Sequence, residues 1–562
     1  MDLAGWRAVV RRIRAVTILS DSFYQMEKRA FIAILLSLLI LVAWQEWMSR
    51  FYPAPPEPQA PAQKEAPKSP PAAPPAAELP PAPAPSVRAP ARAAQSAKDI
   101  TVDTDDYIAV FTTQGARLKS FKFKHYRTSA DDQSPPYELI TAAPGVPFPL
   151  GMNWPAPAPF DDGTLLYSVS GGDMKLAGAA KGTLSFEGQG PDGSSAAKSF
   201  TFSGSGYQIQ LEASVKSPAG GALTPEILLT EKSDHNVPNP DAPFEGLIAL
   251  VDNKIKREHA VEPNKSVEFS GDVSWAGFGH TYFYFAALPD SSPQHKLSLT
   301  NAGPALIASL RAIPGNGPQR YTLFAGPKEI SILEAVGRGI EKSIDFGYFA
   351  LISKPLLYLL HFSHRFTGSY GIDIILLTIL IKILMAPLTH KSFVSMKQMQ
   401  KLAPQMERLK ERHKDDKEKL NKEIMELYRR NGVNPLGGCL PMALQFPVFI
   451  GLYNALSTPI ELRHAPFMWI KDLSQPDWKS LPFTVGDWHL GIPVLTILMG
   501  ASMFIQQWMT PSAGDPNQRR MMLMMPLIFT FMFVTFPAGL TIYWLVNNIL
   551  SIAQQYWINR YS

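Results

Sequence analysis

The chain has 562 residues, a formal net charge of +5 and one cysteine, Cys439. That length exceeds one ordinary domain. A single cysteine excludes an intrachain disulfide and a thiolate metal cluster, and so mild a charge gives no argument for sequence-specific nucleic-acid binding.

The apolar residues are clumped: one run near the N-terminus, five in the last third, and a soluble-looking middle. A spanning helix needs about 20 apolar residues. Residues 1–29 hold Arg11, Arg12, Arg14, Lys28 and Arg29 and precede the first run, 30–48. Basic flanks stay in the cytoplasm, which places the N-terminal segment there. Trp44 and Trp47 suit an interfacial belt at the far end, and no small-residue cleavage pattern follows, so the run reads as a retained anchor. Met26-Glu27-Lys28-Arg29 would itself open such an anchor, and Met26 is read as the initiator; peptides from Trp6 to Tyr24 in the native protein would refute that.

Residues 49–99 read as a linker, because the stretch 51–100 carries 15 Pro and 15 Ala. Such a composition cannot bury a core and favours an extended spacer. From about Ile100 the pattern turns to short strands. Tyr207, Ile209, Leu211, Ala213 and Val215 alternate with polar residues at a period of two. Leu118, Phe121 and Phe123 mark another half-buried strand. Residues 100–343 are therefore expected to form an all-β sandwich exported by the first span, in the periplasm. His235, His259 and His280 lack metal-ligand spacing and no nucleophile motif accompanies them, so they read as structural. Residues 344–366 are amphipathic and aromatic. They predict an interfacial helix along the outer surface, with a plain linker helix as the alternative.

The second apolar run, 370–390, contains Lys382 near its middle. A cation at that depth costs about 2.5–3.5 kcal/mol on insertion scales, and marks a functional site by default. Lys391, the nearest polar end, lies about 13 Å further along a helix, too far for full snorkelling. Between Lys391 and Arg430 stand twelve basic and seven acidic residues, with Leu402, Met406 and Leu409 on one helical face and Leu420, Ile424 and Leu427 on another. Residues 391–433 thus predict a cytoplasmic helical hairpin. Asp415 and Glu418 are spaced like a capping box, and Asn431-Gly432 suits a helix end. Its charged face is either simply solvated or a docking surface for a polar chain.

Further spans are expected at 436–457, 490–509, 521–536 and 538–557, joined by a periplasmic loop 458–489, a cytoplasmic loop 510–520 with Arg519 and Arg520, and a tight turn at Phe536-Pro537-Ala538-Gly539. Six spans return the C-terminus to the cytoplasm, where only Arg560, Tyr561 and Ser562 remain. Thr378 lies one turn from Lys382 on the same face. Gln445, Gln506, Thr541, Asn547 and Asn548 add polar positions in other spans. Together they imply a wet, mildly positive cavity in the membrane; a lysine held by backbone carbonyls is the alternative. Met442, Phe446 and Phe449, with Met521, Met522, Met524, Met525, Phe529, Phe531, Met532 and Phe533, make adaptable apolar surfaces or ordinary packing. No cofactor is implied. A solute transporter using Lys382 as a relay would want a second titratable residue at depth and inverted repeats. An anchored enzyme would want a catalytic cluster in the β-region. The sequence offers neither, and a non-enzymatic protein is expected.

Spans two to six, the hairpin and the motifs Asn434-Pro435-Leu436-Gly437-Gly438-Cys439, Glu461-Leu462-Arg463 and Phe536-Pro537-Ala538-Gly539-Leu540 closely resemble the YidC membrane protein insertases, densely over 345–558. The anchor, linker and β-domain resemble the Gram-negative bacterial form. The resemblance implies a polytopic α-helical membrane protein of the inner membrane, with six transmembrane helices, a five-helix insertase core and a large all-β periplasmic sandwich. It implies insertion of nascent membrane proteins into the lipid bilayer without ATP, alone or beside the Sec translocon, with the ribosome as a further partner. Family members carry arginine in the groove; Lys382 stands there, keeping the charge but losing the bidentate fork. Thr378 matches the groove threonine, Tyr543 and Trp544 the aromatic pair of span six, and Phe446, Phe449 and Met532 a substrate-contacting slide.

Overall fold

The computed structural model describes residues 96–154, 160–190, 193–233, 244–259, 262, 265–290, 294–313, 317–414, 416–433, 440–457, 460–485, 488–510 and 516–561. Met26, the predicted first span, nearly all of the linker, His235, Asp415 and the Asn434–Cys439 motif lie outside them.

From Asp99 to Pro327 the chain is strands, arranged as a five-, a ten- and a six-stranded sheet. The strand Gln208–Lys216 buries Ile209, Leu211, Ala213 and Val215 and turns the intervening side chains outward, as alternating Cβ directions require. It pairs with Gln319–Pro327, so the first half of the domain is closed by its last strand. Phe111 packs on Phe200 with ring centroids 4.7 Å apart, joining the faces of the five- and ten-stranded sheets. The strand Arg117–Arg127 buries Leu118 as well as Phe121 and Phe123. Residues three apart cannot share a face at a strict period of two. The pairing register shifts between Val110 and Phe111, opposite Ser120 and Leu118, and this bulge brings Leu118 back to the core.

Two buried polar clusters stiffen the sandwich. Asp162 accepts from Lys198 Nζ at 2.6 Å and Arg117 Nη2 at 3.1 Å, and from Met152 N–H at 3.0 Å. His280 pairs with Glu231 at 3.0 Å, and Lys328 Nζ donates to the His280 carbonyl. Burial lowers the Lys328 ammonium to about 8, the direction desolvation dictates for a cation.

After Pro327 the chain is mainly helical: α1 Ile330–Val336, α2 Ala350–Thr367, α3 Tyr370–Arg412, α4 Lys417–Arg430, α5 Leu440–Ser457, α6 Val494–Met509, α7 Pro516–Phe533 and α8 Ala538–Tyr561. Helix α2 buries Leu356, Leu357 and Leu360 and exposes Leu351, Phe362 and Phe366. It ends at Gly368, whose left-handed backbone (φ 62°) lets its N–H reach the His364 carbonyl.

The second apolar run and the first half of the charged hairpin are one helix, α3, 43 residues long with Pro387 and Pro404 inside it. The change from apolar to charged composition at Lys391 is not a break in the backbone. Among the described residues α3 alone is long and apolar enough to cross a membrane; Val494–Met509 and Met522–Phe533 are shorter apolar stretches. The hairpin's second helix starts one residue later than the 415/418 spacing suggested. Asp416 is the N-cap and accepts from Lys419 N–H at 3.0 Å, and lysine at that third position cannot return the bond of a capping box. A β-hairpin, Pro482–Val485 with Trp488–Gly491, runs two residues into the stretch expected as the fourth span, and α6 begins only at Val494.

Candidate functional site

Helix α8 is the hub of the helical region. Its residues 543, 547, 551 and 554 follow the three- and four-residue steps of one helical face, and their polar atoms bond to α3 and α5. Residues 548 and 555 are seven apart and bond to α6.

Lys382 of α3 donates from Nζ to Ser551 Oγ at 2.5 Å and to Asn547 Oδ1 at 3.3 Å. Among the described residues no carboxylate pairs with it. A hydrogen bond to a charged group contributes about 1.5–3 kcal/mol, so two such partners roughly offset the about 2.5–3.5 kcal/mol that a lysine costs at mid-membrane. Toward the hairpin, Thr389 Oγ1 and Gln554 Nε2 lie 2.9 Å apart, and Gln554 also donates to the Ala386 carbonyl at 3.3 Å. These contacts make a second polar rung between the same two helices. The outward face of α3 is apolar, with Ile383 64% exposed and Leu376, Leu380 and Leu384 beside it.

The other predicted polar positions divide. Thr378 is buried and its hydroxyl donates to the Ile374 carbonyl of its own helix at 2.6 Å. Thr541 bonds back to the Pro537 carbonyl at 3.2 Å. Gln445 of α5 donates to the Tyr543 hydroxyl. Asn548 donates to Ser502 Oγ at 3.0 Å, tying α8 to α6. Gln506 sits half-buried on α6. Ser551, Gln554, Thr389 and Gln555 were not singled out in the sequence. The recurrence of polar residues at 547, 551 and 554, on one face of the helix, was the available signal.

The predicted slide residues also divide. Phe446 is 60% exposed and Met532 43% exposed. Phe449 lies 5.0 Å from Trp544, ring to ring, and Phe533 also 5.0 Å from it. Tyr543 is 1% exposed and presents no surface. Phe446 and Met532 thus face outward over an aromatic cluster that Trp544 centres.

A joint on the opposite side from the hairpin connects the helices to the sandwich. Glu461 pairs with His361 of α2 at 2.8 Å. Two residues on, the Arg463 guanidinium stands 5.5 Å from the Tyr137 ring centre and 5.7 Å from that of Phe283, and donates to the Arg127 carbonyl at 2.6 Å. Asp373, buried at the start of α3, accepts from Thr367 at 2.6 Å and pairs with His364 at 2.8 Å.

Two family profiles match adjacent stretches of this chain: "YidC periplasmic domain" over 99–359 and "60Kd inner membrane protein" over 362–562. The membrane protein insertase YidC of Syntrophus aciditrophicus (strain SB) is 39% identical over 564 residues, covering 95% of this chain and all of the relative. That of Citrifermentans bemidjiense is 41% identical over 578 residues, covering 95% of this chain and 99% of the relative. The chain belongs to the YidC membrane protein insertase family. The YidC fold accounts for the two halves described above, a β-rich periplasmic domain and a helical insertase region of the inner membrane. A solved structure titled as an active YidC insertase with its first transmembrane domain resolved covers 83% of this chain at 17% identity, with a TM-score of 0.36.

Proposed function

We propose that this YidC-family protein inserts newly made inner-membrane proteins by drawing their polar tails to Lys382 and releasing their apolar segments over Phe446, Phe449 and Met532. The observation that carries this reading is the Lys382 ammonium, bonded only to neutral partners, Asn547 and Ser551, among the described residues. A carboxylate on a client tail would be a better partner, because attraction between unit charges strengthens as the dielectric falls. The client's own apolar segment supplies the driving force, at about 25 cal/mol per Å² of apolar surface leaving water, so no nucleotide is consumed.

In this reading the chain crosses the membrane six times with both termini in the cytoplasm, and the α3–α4 hairpin, rich in basic residues, receives the client or the ribosome. Cooperation with the Sec translocon belongs to the same proposal. A relay transporter would want a titratable neighbour for Lys382; Asn547 and Ser551 do not titrate.

Proteoliposomes carrying the full chain and a single-span client with an acidic tail test the proposal. Lys382→Ala is expected to impair insertion of that client, while Lys382→Arg retains it. Equal insertion by the alanine variant would end the charge-capture reading.

A further inference from the structure

We infer that Asn547 and Ser551 form a latch that holds the Lys382 ammonium in the client-free protein and gives it up to an acidic client segment. The inference rests on the capture role proposed for Lys382 and adds what that cation does before a client arrives.

The geometry of Ser551 is specific. Its hydroxyl donates to the Asn547 carbonyl one turn earlier, at 2.7 Å. With its proton committed there, the oxygen can only accept from Lys382, and does so at 2.5 Å. Asn547 contributes its side-chain oxygen, the acceptor end of the amide, at 3.3 Å. Both acceptors come from α8, so the ammonium bolts α3 to α8. The Thr389–Gln554 rung bolts the same two helices about 10 Å further toward the hairpin. On the other side of Lys382, Ile374, Leu377 and Ile381 are buried along α3, the one hydroxyl among them, Thr378, is bonded within its own helix, and Ile374 packs against the start of α8 at Gly539. The seam therefore has a polar half that can exchange partners and an apolar half that has no polar partners to exchange.

The exchange is selective by charge. A neutral tail offers the ammonium nothing better than the amide and hydroxyl it already has. A carboxylate replaces these ion–dipole bonds with an ion pair, whose attraction between unit charges grows as the dielectric falls. Acidic clients thus open the latch and uncharged ones do not, which makes Asn547 and Ser551 positioning residues that set client preference through Lys382.

The test uses the full chain in proteoliposomes, with Ser551→Ala and Asn547→Ala, singly and together. One readout is acylation of Lys382 by a membrane-permeant amine reagent in the absence of client, followed by peptide mass spectrometry. The other is protease-protected insertion, at sub-saturating concentration, of a single-span client whose tail carries two Asp, against the same client with two Asn. Loss of the latch is expected to raise Lys382 acylation about three- to tenfold and to raise insertion of the Asp client over the Asn client. Both gains should return to the parental level in Ser551→Thr, which keeps the hydroxyl, and the client effect should vanish in a Lys382→Ala background. Unchanged acylation, or an equal loss for both clients with and without Lys382, would overturn the latch. If Lys382→Ala itself leaves the preference for the Asp client intact, the capture reading fails. If Lys382→Ala abolishes that preference while the latch variants behave as the parent, only the latch fails.

Discussion

Single side chains decide much of this molecule because they are polar groups placed where water is scarce. Asp477 shows it away from the lysine. It is 1% exposed, and its carboxylate accepts from Leu495 N–H at 2.7 Å and Thr496 Oγ1 at 2.8 Å. It thereby caps α6, whose own N-cap position is held by Pro493, a residue with no side-chain acceptor. Asp477→Ala should cost about 1–2 kcal/mol from the lost cap, and more if the freed N–H stays unpaired. A thermal scan in detergent would show it, with Asp477→Asn close to the parent. A variant as stable as the parent would mean that water replaces the carboxylate. Lys382 follows the same logic: its charge was legible in the chain, while its two neutral partners sit 165 and 169 positions away.

Between elements, contact is set by small residues where helices approach closely. Gly500 of α6 is buried, and a Cβ there would run into the side chain of Thr530 on α7. Thr530 is not free to move, since its hydroxyl donates to the Pro526 carbonyl at 2.6 Å. Gly500→Val should therefore push α6 and α7 apart, at a cost of about 1–3 kcal/mol for overpacking. Unfolding in mixed micelles would measure it. Gly500→Ala paired with Thr530→Ala, which removes the nearest atom, Thr530 Oγ1, should recover part of the loss, and an unaffected Gly500→Val would show that the interface has room. The helix α3 teaches a second point. Hydropathy changed at Lys391 because the surroundings change there, but a helix is continued by backbone hydrogen bonds, which composition does not interrupt.

Across the whole molecule, the joint at Glu461 and Arg463 links sandwich and helices. Its pH dependence follows from its histidines. Burial opposes charge on His361, but the hydrogen bond and charge of Glu461 outweigh it and raise its pKa. Burial also raises the Glu461 carboxyl. A group whose folded pKa is raised contributes stability fully below its unfolded value, about 6.5 for histidine, and loses it as pH climbs through the folded value. The His361 and Glu461 shifts have the same sign, so the joint should be tighter at about pH 6 than at about pH 8.5. Hydrogen exchange over 345–367, corrected for intrinsic rates, should report faster opening at the higher pH, and His361→Gln should flatten the difference. Slower opening at high pH would contradict the assignment. Arg463→Ala should loosen the same segment at both pH values, since guanidinium stays charged throughout.

The sequence by itself determined the family, the division into a β-rich part and a helical part, and the presence of a cation, Lys382, within an apolar run. Those follow from motifs, from side-chain periods such as 207–215, and from local hydropathy, all of which are written along the chain. Tertiary structure alone decided which groups meet: Ser551 and Asn547 on Lys382, Asp477 on α6, Arg463 on the sandwich, and Thr378 turned back on its own helix. Those pairings join segments far apart in the chain, or depend on which way a rotamer points, and one-dimensional spacing carries neither distance nor direction.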